Sequence, residues 1–399
     1  MERARKLLIV TSRFPFSTQE TYLKTEHGEL INYFQSVAVM PVRTPAPGSI
    51  QSVPPGVEVL AWPLLGFGLL RRAAQAFYAR PKETLAAIAQ IVWSRDPGRT
   101  KNLAVVLKAL ALAQWTMEHG FDHIHAYWIS TPATVAMIAA SVSGVTWSST
   151  AHRWDIYERN AFDVKERSAS FVRTISARGT ADIGKRMPSL SDRIFELRLG
   201  TSVPAVRQAS LSYRDEFRIV CPAALVPVKG HADLFAAILK LRSSGVPVRC
   251  TLAGSGPLRV ELEAEVTALR LSDAVEFAGF VPQQTLHEWY KNGRFAAVVL
   301  ASRSMGETME GVPSALVEAM AFGVPAVATD SGSVGELIDE QCGRLVKAGR
   351  PDELADALME VYLYPATARM RACRAYERVK QQHDVRTQMR TFAAMFSAK

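Results

Sequence analysis

Short apolar, β-branched runs alternate with longer stretches of helical period along most of the chain. In the first half the strand-like runs are KLLIVTS (6–12), SVAVMPV (36–42), VEVLAW (57–62), HIHAYW (123–128), TWSSTA (146–151), FVRTIS (171–176) and IFELRLG (194–200). The second half takes up the alternation again with FRIVCPAAL (217–225), VRCTLAG (248–254), AVEFAGF (274–280), AAVVLAS (296–302), PAVATD (325–330) and GRLV (343–346). Helical spacing fills most of the gaps, as at 231–243, 257–270 and 351–362. Continuous apolar strands separated by helices predict parallel sheets covered on both faces. The strand pattern lapses at GTSVPAVRQASLSYRDE (200–216), where polar residues collect. The pattern therefore predicts an α/β protein of two doubly wound, Rossmann-like domains, over 1–205 and 206–375. A C-terminal helix over 376–399 follows, placed to pack back on the first domain. In such sheets ligands sit beyond the carboxyl ends of the strands, so strand-to-helix loops carry the most information.

Composition narrows this picture. The 399 residues are 48% hydrophobic and 21% charged, enough for two domains of ordinary size. Four cysteines without a C-x-x-C pair fit free buried thiols in a reducing compartment, not zinc or disulfides. No apolar run reaches the roughly 18 residues of a membrane span. KLLIV near the N-terminus is too short for a signal-peptide core and reads as a first buried strand, so a cytoplasmic protein is expected. The net charge of +9 is uneven: residues 1–200 hold 24 Lys and Arg against 16 Asp and Glu, the remainder 23 against 22. No basic run is interleaved with aromatics, so nucleic acid is not the expected partner. Attraction to an anionic membrane face or a phosphate-bearing acceptor fits at least as well.

One segment, ETMEGVPSALVEAMAFGVPAVATDSG (307–332), keeps two carboxylates around an apolar stretch. Pro313 sits where a helix can start, SALVEAMAF runs at helical spacing and Gly323 ends it. At 1.5 Å per residue, Glu310 and Glu318 have backbones on the order of 12 Å apart. Gly311 between them allows close approach of a ligand to the backbone. The unpaired N–H groups of the first turn offer a site for an anion such as a diphosphate. Carboxylates at either end could accept hydrogen bonds from two different sugars, the order found in a nucleotide sugar. The alternative reading makes Glu310 a helix-terminal acid and Glu318 a solvent-facing residue. Against it, a solvated face would show more than one polar residue.

EGVPSALVEAMAFGVPAVATDSGSVGELI (310–338) resembles the E-x7-E signature of the retaining family-4 glycosyltransferases, which have the GT-B fold of two domains facing a cleft. VPVKGHADLFAAI (226–238), TLAGSGPLRVELE (251–263) and VEFAGFVPQQTLHEWYKN (275–292) are similar to the family's lysine-glycine turn, its glycine loop and its base-side segment. FPFSTQETYLKTEHGEL (14–30), HIHAYW and SSTAHRWDIY (148–157) resemble a bacterial branch that builds surface polysaccharides. The resemblance implies that Glu310 contacts the donor sugar, Glu318 the ribose and Lys229, followed by Gly230, the diphosphate. It places Gly311, Val312, Pro313, Ser314 and Leu316 beside the donor, along with Gly254, Gly256, Phe280 and Val281. His152 would lie near the reacting carbon with Asp155 close by. Many relatives carry an arginine five positions before the lysine; here that place is Ala224, and Arg303, Arg178 and Arg13 are the candidate replacements.

Other constellations are weaker. GSGPLR (254–259) lacks the third glycine of a dinucleotide fingerprint, and Glu276 in place of the ribose acid lies inside a strand run. His123 and His125 share one strand face. With no partnering cysteine or carboxylate motif they are poor metal ligands, and His125 reads instead as an acceptor-side residue. No D-x-D occurs, so no metal and no cofactor are expected. Ser17, Thr18 and Gln19 after the first strand, with Arg178, complete the expected acceptor side. WPLLGFGLLRRAAQAFYARP (62–81) is either a basic amphipathic helix on a membrane surface or an ordinary helix on the sheet. The expectation is a metal-independent hexosyltransferase using a nucleotide diphosphate donor, UDP-sugar before GDP-mannose. Its acceptor would be a hydroxyl of a glycan, lipid-linked or small molecule, and the enzyme would sit in the cytoplasm or peripherally on the membrane. An epimerase of the same fold and a catalytically silent donor-binding subunit are the alternatives.

Overall fold

The computed structural model describes residues 5–16, 20–44, 53–96, 98–205, 216–306 and 310–396. They form two units: residues 1–200 with 386–399, and residues 201–385. Val385–Met395 is a separate helix after Pro365–His383, so the single helix expected from 376 onward is two, shared between the units.

In the first unit seven parallel strands run β1 (Lys6–Thr11), β2 (Ser36–Pro41), β3 (Val57–Val59), β4 (His123–Ala126), β5 (Thr146–Ala151), β6 (Val172–Thr174) and β7 (Ile194–Glu196). Their order in the sheet is β3-β2-β1-β4-β5-β6-β7. Leu7, Leu8, Ile9 and Val10 of β1 are fully buried on both faces, as a doubly covered parallel strand requires. The connections reverse direction between β1 and β4, which opens a crevice at the carboxyl ends of those strands. A buried bidentate ion pair braces the unit: Arg173 on β6 donates to both oxygens of Glu26 at 2.7 and 2.9 Å. Its remaining donors reach the carbonyls of Leu197 and Arg198, and Gly200 N–H donates to Glu26, so the charges are fully paired.

The second unit repeats the plan with six parallel strands: β8 (Phe217–Cys221), β9 (Val248–Ala253), β10 (Val275–Gly279), β11 (Ala297–Leu300), β12 (Ala326–Asp330) and β13 (Arg344–Lys347). The order is β10-β9-β8-β11-β12-β13, so its reversal lies between β8 and β11. Thr201 closes the unit at its ends, accepting from Val385 N–H and donating its own N–H to the His383 carbonyl. Cys221, Cys250 and Cys342 are buried free thiols and Cys373 is half-buried.

Candidate functional site

In the second unit, the loops that follow β8 and β11 meet at the switch point. After β8 the chain makes a 3-10 turn over Pro227–Lys229 and reaches Gly230 in the left-handed region at φ 62°. A side chain there is excluded twice, since a Cβ would also lie 2.0 Å from the Ala301 carbonyl oxygen. This tight contact carries Lys229 to the loop after β11, where its Nζ donates to Glu310 Oε2 at 2.6 Å. Ser302 Oγ donates to the same oxygen at 3.0 Å. The Ser302 carbonyl in turn accepts from Thr329 on β12, so three strands hold the cluster. Glu310 is thus no free helix-terminal acid.

Val312 and Pro313 are buried, and the helix runs over Ser314–Ala321. Pro313 is the residue before the helix and not its first turn, one position earlier than expected. The first N–H groups, at Ser314 and Ala315, have no acceptor within the helix. Gly311 and Ser314 are half-buried, and Leu316 is fully buried in the core under this turn. Gly323, at φ 74°, ends the segment. Glu318 is buried, not solvent-facing, and both of its oxygens are engaged. Gln283 Nε2 donates to Oε1 at 2.9 Å, and His287 Nε2 lies 3.3 Å from Oε2. Both partners come from the helix Gln283–Lys291, four residues apart on one face. That helix follows Phe280, which is exposed, and Val281, which packs on the core. The segment 275–292 and Glu318 are therefore joined directly.

Gly254 and Gly256 lie where the loop after β9 presses on the loop after β8. A Cβ at Gly254 would stand 1.8 Å from the Ala223 carbonyl oxygen, and one at Gly256 2.3 Å from that of Leu225. They are packing glycines for the loop that carries Ala224, which is itself exposed. Glu276 accepts from Thr251 Oγ1 at 3.1 Å and pairs with Arg294, so it is engaged within the sheet and not as a ribose acid. Arg303, one of the candidate replacements for an arginine at 224, is held by Asp233 through two hydrogen bonds.

The first unit places His152 at the end of β5, buried, with its Nε2 3.1 Å from the Tyr22 hydroxyl and its ring 4.3 Å from that of Trp128. Burial, with the charge of Arg173 adding, lowers its pKa to about 3, so the imidazole is neutral. Asp155 fixes this corner: its Oδ1 accepts from His152 N–H at 2.7 Å and its Oδ2 from Ile129 N–H at 2.6 Å. Burial pushes the Asp155 carboxyl up to about 8, against those two bonds, which favour its charged form. Glu20 makes the matching brace on the β1 side. It accepts from Arg13 N–H, Phe14 N–H and Trp128 Nε1, and its pKa is raised by burial.

The acceptor-side expectations fare differently. His125 is fully buried, which corrects its assignment to an acceptor surface. A ladder of hydrogen bonds runs Thr146, His123, Ser148, His125, Thr150, each contact 2.7–2.8 Å, and Phe392 and Phe396 cover it. Burial lowers the pKa of His123 to about 3 and holds that of His125 well below the ordinary histidine value, so both are neutral core groups. Arg178 is exposed in the first turn of the helix Ala177–Arg186, whose cap is Ser176 accepting from Gly179 N–H. Ser17, Thr18 and Gln19 lie outside the described residues. Among the described residues no cluster of three metal-ligating side chains occurs.

Sequence reasoning missed Ser302, Gln283, His287, Tyr22 and Glu20. Only the pair Gln283 and His287 left a signal, two hydrogen-bonding side chains at helical spacing just past the base-side loop.

The model of a family described as "Glycosyl transferases group 1" matches residues 202–378. The amylovoran biosynthesis glycosyltransferase AmsK of Erwinia amylovora is 30% identical over 145 residues, 36% of this chain and 35% of that protein. A GDP-mannose-dependent alpha-(1-6)-phosphatidylinositol monomannoside mannosyltransferase of Mycobacterium tuberculosis is 30% identical over 146 residues, 36% and 38% of the two chains. The match thus spans little more than a third of these relatives' own length. The solved structure of Anabaena HepE in complex with UDP-glucose has a TM-score of 0.72 at 19% identity, covering 98% of this chain and 99% of that one. The fold is the expected GT-B fold.

Proposed function

We propose, from the match of residues 202–378 to the model of the glycosyl transferases group 1 family, that the protein is a retaining glycosyltransferase with a nucleotide diphosphate sugar as donor. The observation that carries the proposal is the cluster of Lys229, Glu310 and Ser302 at the switch point, set against the start of the Ser314–Ala321 helix. Lys229 and the free N–H groups of that turn would take the diphosphate, whose charge grows as the leaving group departs. The Glu310 carboxylate would then accept from hydroxyls of the transferred sugar. Glu318, already oriented by Gln283 and His287, would take the ribose hydroxyls. In the transfer, the acceptor oxygen bonds to the anomeric carbon and the bond from that carbon to the diphosphate oxygen breaks. The hydroxyl proton passes to the departing diphosphate, and the configuration is kept. His152, neutral and held by Tyr22, would position the reacting sugar; no protein nucleophile is assigned.

A UDP-hexose is the favoured donor, in line with the UDP-glucose held by the Anabaena neighbour. GDP-mannose comes next, in line with the mycobacterial relative. The acceptor would be a glycan, lipid-linked or small-molecule hydroxyl. No metal is assigned, so EDTA should leave turnover unchanged, and loss restored by a divalent cation would contradict that assignment. The deciding experiment is a panel of UDP-, GDP- and ADP-sugars scored by thermal stabilisation, then by transfer to glycan and lipid-linked acceptors. A donor at 100 times its Kd stabilises by about 2.7 kcal/mol. Absence of stabilisation by every donor would overturn the reading. Ala224 favours one rival, a donor-binding subunit without catalysis, which would show stabilisation but neither transfer nor hydrolysis. Conversion of a donor with no acceptor present would indicate the epimerase.

A further inference from the structure

Two lysines of the first unit are fully buried, and both point their amino groups at carbonyl oxygens of the chain. Lys108 donates to the carbonyls of Pro41 and Trp62 at 2.8 Å and of Val42 at 3.0 Å, tying the end of β2 to residue 62. Lys165 ends the short helix Phe162–Lys165 and has four oxygens within reach. They are the carbonyls of Ile129 at 2.7 Å, Ser130 at 2.8 Å and Asn160 at 2.6 Å, with Asn160 Oδ1 at 2.8 Å. Burial disfavours the charge of Lys165 and lowers its pKa to about 7. A full set of acceptors offsets that penalty.

The acceptors of Lys165 lead to His152. Ile129 is held on both sides: its carbonyl accepts from Lys165, and its N–H donates to Asp155 Oδ2 at 2.6 Å. Asp155 Oδ1 accepts from His152 N–H at 2.7 Å. Trp128, one residue before Ile129, lays its ring 4.3 Å from that of His152 and donates Nε1 to Glu20. Lys165 thus fixes residues 129 and 130 from inside the fold, and His152 meets this segment twice, through Asp155 and against Trp128. None of the three acceptors of Lys108 belongs to this chain of contacts.

We propose that Lys165 is a positioning residue for the transfer reaction, setting the placement of His152 and Trp128 through the loop after β4. The kinetic part of this inference rests on the glycosyltransferase reading; the structural part does not.

The test pairs Lys165→Met with Lys108→Met in the full chain. Each variant removes a buried amino group at similar volume and strands carbonyl oxygens, so both should unfold at lower urea. Only Lys165→Met should lower turnover, by roughly tenfold or more, since a misplacement of about 1 Å can cost on the order of 100-fold. Its affinity for UDP or GDP, whichever binds the wild type, should stay within about twofold, because Lys229 and Glu318 belong to the second unit. The indole N–H signal of Trp128, assigned by its loss in Trp128→Phe, should move in Lys165→Met and stay in Lys108→Met. Lys165→Gln, which returns two hydrogens to the four oxygens, should lie between wild type and Lys165→Met in turnover, and it carries the comparison if the methionine variant does not fold. Equal turnover losses in the two methionine variants, turnover of Lys165→Met within about twofold of wild type, or an unmoved Trp128 signal would each overturn the proposal. If the wild type transfers nothing, the glycosyltransferase reading fails, and the indole signal still decides whether Lys165 places Trp128.

Discussion

Replacing Glu310 by glutamine separates the two tasks that meet at its carboxylate. Oε2 takes Lys229 Nζ at 2.6 Å and Ser302 Oγ at 3.0 Å, and the Lys229 and Glu310 side chains are only 19% and 13% exposed. Glutamine keeps the shape and one acceptor oxygen but loses the charge. A hydrogen bond to a charged group contributes about 1.5–3 kcal/mol and a neutral one about 0.5–1.5. The difference at the sugar, about 1–2 kcal/mol, corresponds to a fall in turnover of roughly 5- to 30-fold. The diphosphate should respond differently, because Lys229 is released from its counter-charge. Nucleoside diphosphate affinity should stay within about threefold of wild type or tighten, whereas Lys229→Met should weaken it by roughly tenfold or more. The assays are steady-state transfer with the donor chosen by the thermal panel, and calorimetric titration of the free nucleoside diphosphate. Turnover within about twofold of wild type would refute the sugar contact. Unchanged turnover with affinity more than about tenfold weaker would mean that Glu310 serves only to hold Lys229.

Three further outcomes are expected. Glu318→Gln should weaken nucleoside diphosphate binding by roughly tenfold, as one charged acceptor is lost, and leave inorganic pyrophosphate binding unchanged; equal losses for both ligands would place Glu318 at the phosphates. Asp155→Asn should cost about 1–3 kcal/mol in urea unfolding, because the amide leaves the N–H of either His152 or Ile129 without an acceptor. An unchanged midpoint would refute that role. The first unit should also lose stability on acidification. His27, His123 and His152 have folded pKa values of about 3, and that of His125 is well below the unfolded value of 6.5. The unfolded state therefore binds the extra protons. Stability is full above about 6.5 and falls below it by about 1.4 kcal/mol per pH unit for each histidine. Asp155 and Glu20, with raised folded pKa values, oppose this trend but are outnumbered. Urea midpoints equal at pH 7.5 and 5.5 would refute the neutral burial of these histidines.

All thirteen strands were legible, the central ones such as β1 and β11 as continuous apolar runs covered on both faces, the others as short runs rich in β-branched or aromatic residues. Lys229, Glu310 and Glu318 were singled out by contiguous motifs and by the family resemblance these carry, and the structure brings Lys229 and Glu310 together. Their immediate partners were not singled out. Ser302 reaches Glu310 only through the adjacency of β11 and its loop, and Gln283 and His287 reach Glu318 across more than thirty residues of chain. Periodicity within one element says nothing about such meetings. His125 was misjudged for the same reason. Its strand pattern shows which face it points to, but the helix Val385–Met395, some 260 residues later, decides that this face is covered.

The ladder between β4 and β5 has a consequence for where its protons sit. Ser148 Oγ touches both rings, Nε2 of His123 and Nδ1 of His125, and has one hydrogen to give. If both rings present an N–H to it, its own hydrogen is stranded; if neither does, one ring nitrogen goes unpaired. Only two of the four tautomer combinations satisfy the whole chain, and in both the hydrogens point the same way from Thr146 to Thr150 or all in reverse. The two imidazoles are therefore a single two-state object, and a nitrogen spectrum of either one would report the tautomer of the other.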